Sequence, residues 1–187
     1  FYRVLGYMAV VSSFVIVLAL LMALITSLIG PGDELIRFGD FPVWMGIAAA
    51  TILVLAAYGS LFNTIGLIMP KYGVYLCIII GVWEFAMGFT TLFAPESSVT
   101  FLSISHWGLQ MVDATVLAAW PDTLQYSQMS EAFGIDTGLQ WIWKPPVHTL
   151  GTGNPYISIV TSITFLSLVS GVLISMGSSI FRRKEIM

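Results

Sequence analysis

Charge is what this sequence lacks most. Only 9% of the 187 residues are Asp, Glu, Lys or Arg, against about a quarter in a soluble domain. That is too little to cover a solvated surface, so a soluble globule is excluded. Cations are scarcer still, with seven Lys and Arg and a net charge of −3. Phosphate-rich partners are held by clustered cations. The single cluster, Arg182-Arg183-Lys184, directly follows an apolar run, which argues against nucleic acid as a partner. Cysteine occurs once, as Cys77. An internal disulfide, a zinc site built from four cysteines and a cysteine-ligated iron–sulfur cluster are therefore excluded for this chain alone. A lone thiol inside an apolar run behaves as a small hydrophobe. Histidine occurs twice, as His106 and His148, and neither lies in an apolar run. Haem held between two intramembrane histidines is excluded with them. Also missing are a Ser–His–Asp signature, a Gly-rich phosphate loop, a metalloprotease helix and carboxylates paired at catalytic spacing. No cofactor and no metal site is expected.

What is abundant is apolar: 57% of residues are hydrophobic and the mean hydropathy is +0.91. About 20 apolar residues span the hydrocarbon core of a bilayer, and roughly 18 without charge make a candidate. Four runs qualify, at about residues 4–30, 42–69, 72–94 and 155–181. Gly30-Pro31-Gly32 stops the first, Pro70 closes the second, and Arg182 ends the fourth. The third carries one charge, Glu84. None alternates as a barrel strand would. The first is too long for a signal-peptide core and lacks a cleavage site. The chain opens at Phe1 rather than Met, which leaves room for a preceding segment. The expected fold is an all-α, four-helix transmembrane bundle forming a single domain.

Lys and Arg near the span ends set the orientation. Arg3, Lys71, Arg182, Arg183 and Lys184 share one side; Arg37 and Lys144 share the other. Five against two puts both termini inside. The expected location is a prokaryotic cell membrane or an organelle inner membrane. The outer side receives most of the acids, among them Asp33, Glu34, Asp40, Glu96, Asp113, Asp122, Glu131 and Asp136.

The connections are unequal. The inner link is barely a turn around Pro70-Lys71. The outer link from about Glu96 to Asn154 far exceeds the roughly 12–15 residues at which structureless loops become uncommon. It should fold as an outer cap over residues 96–154. Ser105 to Trp120 places Trp107, Met111, Val112, Val116 and Ala119 on one helical face. Asp122 can cap a short helix through Phe133, which Gly134 ends. Ile135 to Asn154 reads as irregular.

Glu84 is the side chain that stands out. A carboxylate within a span is costly if charged and unpaired, and marks a functional site by default. It reads either as a proton relay or as a polar contact, within the chain or to another subunit. No Lys, Arg or His lies at its depth, so a cationic partner would come from elsewhere. Asn63 is the one amide that could join it in a relay. Ser167, Gly171, Ser175 and Ser179 recur every four residues in the fourth run. Gly73, Cys77 and Gly81 do so in the third, with Gly88 following. Such stripes let helix backbones approach closely, in one bundle or between subunits. The outer link is rich in Trp, with Trp107, Trp120, Trp141 and Trp143 beside His106 and His148. Trp favours the headgroup level and interfaces between proteins, so these six residues form a candidate outer-loop interface. His106 and Asp113 share a helical face but stand about 10 Å apart along the axis, too far to chelate as a pair.

Trp143-Lys144-Pro145-Pro146, followed by Thr164-Phe165-Leu166-Ser167-Leu168-Val169-Ser170-Gly171, resembles subunit III of the haem-copper oxidases. That family has a Trp-Pro-Pro loop and a following helix with Thr, Leu and a Ser-Gly pair. Lys71-Tyr72-Gly73 ahead of Glu84 is similar to its Glu-bearing third helix. Lys144 interrupts the Trp-Pro-Pro string, Ser167 replaces a Leu, the intervening loop is longer, and the family's later helices are missing. The four-span layout is shared with claudins and tetraspanins, but their cysteine-bearing loop signatures are absent. The resemblance directs attention to respiratory assemblies.

The expected role is a non-catalytic transmembrane subunit of a larger complex, bioenergetic by first choice (respiratory or electron-transfer). Its partners would be the bilayer and other membrane subunits. The first alternative is a small transporter or proton-conducting component built on Glu84. The second is a membrane enzyme with an outer-loop site, using His106, His148 and nearby acids.

Overall fold

A computed structural model describes residues 2–29, 38–93, 97–119 and 154–185. Its helices are α1 (Tyr2–Ile29), α2 (Asp40–Ile68), α3 (Gly73–Phe93), α4 (Ile104–Ala119) and α5 (Pro155–Glu185). A short 3-10 helix, Ser98–Leu102, precedes α4. Four of these helices are long and apolar enough to cross a membrane: Val4–Leu28, Phe41–Ile68, Gly73–Thr91 and Pro155–Arg182. They coincide with the four runs in the sequence. Lipid offers backbone groups no partners, so an uncharged segment of this length closes its hydrogen bonds internally as a helix. The expected short helix from Asp122 and the irregular stretch to Gly153 lie outside the described residues.

α2 is the central helix and packs against α1, α3, α4 and α5. α1 lies antiparallel to it. Trp44 Nε1 donates to Thr26 Oγ1 at 2.9 Å near one end. Near the other, a Cβ on Gly59 would stand 3.1 Å from Tyr7 Cε1. Ala19, Ala23 and Ser27, four apart, are buried on α1, and small residues at that spacing allow close approach. Trp44→Phe removes a hydrogen bond of a kind that contributes about 0.6 kcal/mol in membrane helices. Thermal unfolding in mild detergent should show a loss of that small size.

The turn into α3 is tight. Met69 N–H closes α2 on Ile65 O at 2.9 Å, and Gly73 N–H reaches Met69 O at 2.7 Å. A Cβ on Gly73 would stand 3.4 Å from Gly66 Cα, so glycine suits the helix crossing there. α5 returns beside α2, where Thr64 Oγ1 donates to Leu173 O at 2.9 Å. A Cβ on Gly177 would meet that same Thr64 oxygen at 3.0 Å. These contacts bring the start of α1, the α2–α3 turn and the end of α5 to one end of the bundle.

α4 does not sit apart from the spans. It packs against α2, α3 and α5. Its first turn touches Tyr58 on α2 and Glu84 on α3, both well inside their helices. Further on, Gly108 faces Val54, and Thr115 faces Gly46. α4 therefore begins midway along the bundle and rises, antiparallel to α2, toward the end where α2 starts. The chain leaves α3, descends through the 3-10 helix, and climbs back as α4. A re-entrant segment of this kind is tolerated at membrane depth only where protein buries it. The apolar cluster of Ala57, Ile104 and Leu166, with Leu53, Val54, Tyr58, Leu61, Trp107 and Val169 around it, supplies that burial for α4, while the 3-10 helix closes its own backbone bonds and buries Thr100 alone.

Candidate functional site

Helix α4 starts inside the bundle with backbone N–H groups that have no partner of their own. The first four N–H groups of any helix are in this position. Glu84, 6% exposed, meets two of them. Its Oε1 accepts from Ile104 N at 3.1 Å, and its Oε2 from Ser105 N at 3.0 Å. Oε2 also accepts from Tyr58 Oη at 2.8 Å and from Ser103 Oγ at 2.7 Å. Tyr58 Oη in turn lies 2.7 Å from Ser105 Oγ. Ser103 closes the turn, its Oγ accepting from His106 N at 3.4 Å in the position of an N-cap.

Four donors converge on the two carboxylate oxygens. The positive end of the α4 dipole lies against them as well, which favours an anion at that point. A helix terminus thus takes the place of the cation that the sequence called for, and all four donors come from Glu84's own chain. Tyr58, Ser103 and Ser105 carry no motif that would have singled them out. A backbone N–H has no side-chain signature at all. The one available signal was Ser103, a good N-cap residue just ahead of the periodic segment.

Glu84 also borders an open groove of about 580 Å³ whose lining includes Tyr7, Tyr58, Phe62, Asn63, Glu84 and Phe85. Asn63, exposed, thus shares this groove with Glu84. Gly81 lines it too, and a Cβ there would meet nothing within 4 Å. Of the third-helix stripe, Gly73 is therefore a packing residue and Gly81 faces the groove.

The fourth-helix stripe points away from the bundle. Ser167, Gly171, Ser175 and Ser179 are all exposed, and a Cβ on Gly171 would meet nothing within 4 Å. The face of α5 turned inward carries Ser158, Ser162, Leu166, Ser170 and Gly177 instead. Both faces are small and polar enough to fit either role, so spacing could not choose between them.

His106 and Trp107, read from the sequence as part of an outer-loop interface, pack against the spans, His106 buried and Trp107 partly so. His106 is fully buried. Its Nδ1 lies 3.3 Å from Thr91 Oγ1 on α3, and Phe101 meets its ring edge-on at 4.8 Å. Trp107 stacks on Phe165 of α5 at 4.5 Å and donates from Nε1 to Phe101 O at 2.9 Å. It ties α4 and the 3-10 helix to α5. Trp120, Trp141, Trp143 and His148 lie outside the described residues, as does the Trp143–Pro146 stretch. Among the described residues no group of three His, Cys, Asp or Glu could hold a metal ion. Cys77 is a free, half-buried thiol.

Comparison of the chain with models of protein families, with curated proteins and with solved structures returns no match. On its own four spans, the chain is a multi-pass integral membrane protein with a helical segment between its third and fourth spans.

Proposed function

We propose that this chain is a non-catalytic transmembrane subunit of a larger membrane complex. The observation that carries the reading is the outward stripe of α5. Ser167, Gly171, Ser175 and Ser179 stay exposed while the chain's own packing uses the opposite face. Around Gly171, Ser175 and Ser179 the surface is hollowed by about 570 Å³. Small residues at this spacing let a second helix approach, and their hydroxyls can bond across the gap. Glu84 fits the same picture as an anchor, since its oxygens are occupied in holding α4. The resemblance of residues 143–146 and 164–171 to an oxidase subunit makes a respiratory or electron-transfer assembly the class to test first.

The test is purification from native membranes in mild detergent, with mass measurement and peptide identification. A stoichiometric complex is expected, and its cofactors would name the process. A lone chain or a homo-oligomer overturns the reading. Gly171→Leu should leave the isolated chain's melting temperature unchanged, because the added side chain enters open space. It should deplete the chain from the complex by pushing the neighbouring helix away. Wild-type recovery in the complex would remove the α5 face from the proposal.

A second reading rests on the groove. It brings Asn63 and Glu84 to one opening, as a conducting component would need. Reconstituted flux that Glu84→Gln abolishes would favour it over the first.

A further inference from the structure

The groove beside Glu84 is a slot between two helices. α1 and α3 each pack on α2, and the slot lies between them with α2 as its floor. Val4 and Tyr7 form one wall, Gly81 and Phe85 the other. The floor runs from Leu55 to Asn63, about 12 Å at the rise of a helix. A volume of about 580 Å³ over that length leaves a mean cross-section of about 50 Å², roughly half that of a helix 10–12 Å across. A second helix is too thick to sit within the slot, and an extended hydrocarbon chain is not. Glu84 offers no free charge to repel such a chain, because four donors occupy its oxygens.

The other end of the slot has a polar group to spare. Asn63 is exposed within the span Phe41–Ile68, and its amide has no hydrogen-bond partner among the described residues. An unpaired amide at membrane depth is costly. Asn63 lies five residues before the end of α2 at Ile68, about 7.5 Å along the axis. The polar layer of a bilayer is about 5–7 Å deep on each side. With the end of α2 at the membrane surface, Asn63 sits at the level of phospholipid ester carbonyls. The cations gather at this same end. Lys71 is exposed in the turn after α2, its Nζ 5.4 Å from the ring centroid of Tyr72. Arg3 stands one residue before Val4 in the first turn of α1, and Arg182, Arg183 and Lys184 lie in the last turns of α5. Glu185 is the one acid among the described residues at that end. Tyr72 and Tyr75, both exposed, suit the headgroup level. Cations beside spans at the inner end attract anionic headgroups.

We propose that the slot between α1 and α3 seats one acyl chain of an anionic phospholipid, with its ester carbonyl on the Asn63 amide and its phosphate against Lys71. The Asn63 Nδ2–H donates to the carbonyl oxygen and the Lys71 ammonium to a phosphate oxygen. The site is independent of whether the protein serves in a complex. A lipid seated there fills the opening that a conducting component would need, so the two exclude each other.

The test is native mass spectrometry of the full chain from mild detergent, with phosphatidylglycerol or phosphatidylcholine of the same acyl chains added. One phosphatidylglycerol should be retained over phosphatidylcholine by about fivefold or more, the contribution of one cation near a membrane surface. Lys71→Gln should erase most of that preference. Asn63→Leu should weaken both lipids alike, since both carry the ester. Gly81→Leu fills the slot from a position where a Cβ meets nothing within 4 Å, so it should release the lipid and melt as the wild type does. Equal retention of the two lipids by the wild type overturns the proposal. So does wild-type lipid retention by Gly81→Leu, or an unchanged preference in Lys71→Gln. Should Gly81→Leu not fold, benzoylphenylalanine in place of Phe85, exposed at the rim of the slot, decides in native membranes. Photocapture of phospholipid supports the site, and photocapture of a protein gives the slot to a neighbouring chain and overturns it.

Discussion

Glu84→Ala should be the most damaging single substitution in this chain. It removes the acceptor of four donors at once: the N–H groups of Ile104 and Ser105 and the hydroxyls of Tyr58 and Ser103. Tyr58 can turn its proton to Ser105 Oγ, 2.7 Å away, which leaves three stranded. Each buried donor left without a partner costs about 1–3 kcal/mol, so the loss is on the order of 3 kcal/mol even at the low end. Lipid or packed protein supplies no substitute. Glu84→Gln is the informative companion. Its one oxygen can take the place of Oε2 and keep three of the four bonds. Its amide nitrogen then faces Ile104 N–H, donor against donor, and the attraction between carboxylate and helix terminus is gone. That should cost about 1–2 kcal/mol. Thermal unfolding of both variants in the same detergent checks the order. Equal stability of Glu84→Ala and wild type would mean that the carboxylate does not hold α4.

The second large effect is expected where α4 meets α2. A Cβ at Gly108 would come within 2.5 Å of Val54 Cγ2, and one at Gly46 would run into the Thr115 side chain. Val54 and Thr115 are β-branched and stiff at χ1, so neither can swing clear. Gly108→Leu and Gly46→Leu should each lose about 1–3 kcal/mol or more by overpacking. Gly81→Leu offers the contrast, since its new side chain enters open space. If all three melt alike, α4 and α2 are not in close contact. Loss confined to the first two would locate the α4 seat by mutation alone.

Much of the fold is legible in the sequence. The four spans follow from hydropathy because lipid forces each long apolar run to be a helix. The helix from Ser105 to Trp120 was legible from its apolar spacing, and α4 occupies Ile104–Ala119. Where that helix goes was not legible. Trp107, Met111, Val112 and Val116 suggested one buried face with the other in solvent. In the bundle Met111 is buried while Trp107, Val112 and Val116 are only partly so, and His106, Gln110 and Asp113 are buried instead, because α4 packs against three helices rather than lying on a surface. Gly46 and Gly108 gave no warning either, since a glycine that faces a neighbour and one that faces lipid look alike in sequence.

The sequence by itself determined that this is a membrane protein, how many times it crosses, and that Glu84 must find partners. Scarcity of charge and length of apolar run decide those matters, since both act locally and without reference to the rest of the chain. Tertiary structure alone decided what the partners are. A helix terminus is an arrangement of backbone groups, not a residue type, and it becomes a counter-charge only when folding carries Ile104 and Ser105 to the middle of α3. The same holds for the two stripes on α5. Their compositions are alike, and only the packing of α2 and α4 against α5 decides which faces inward and which is left for a neighbour.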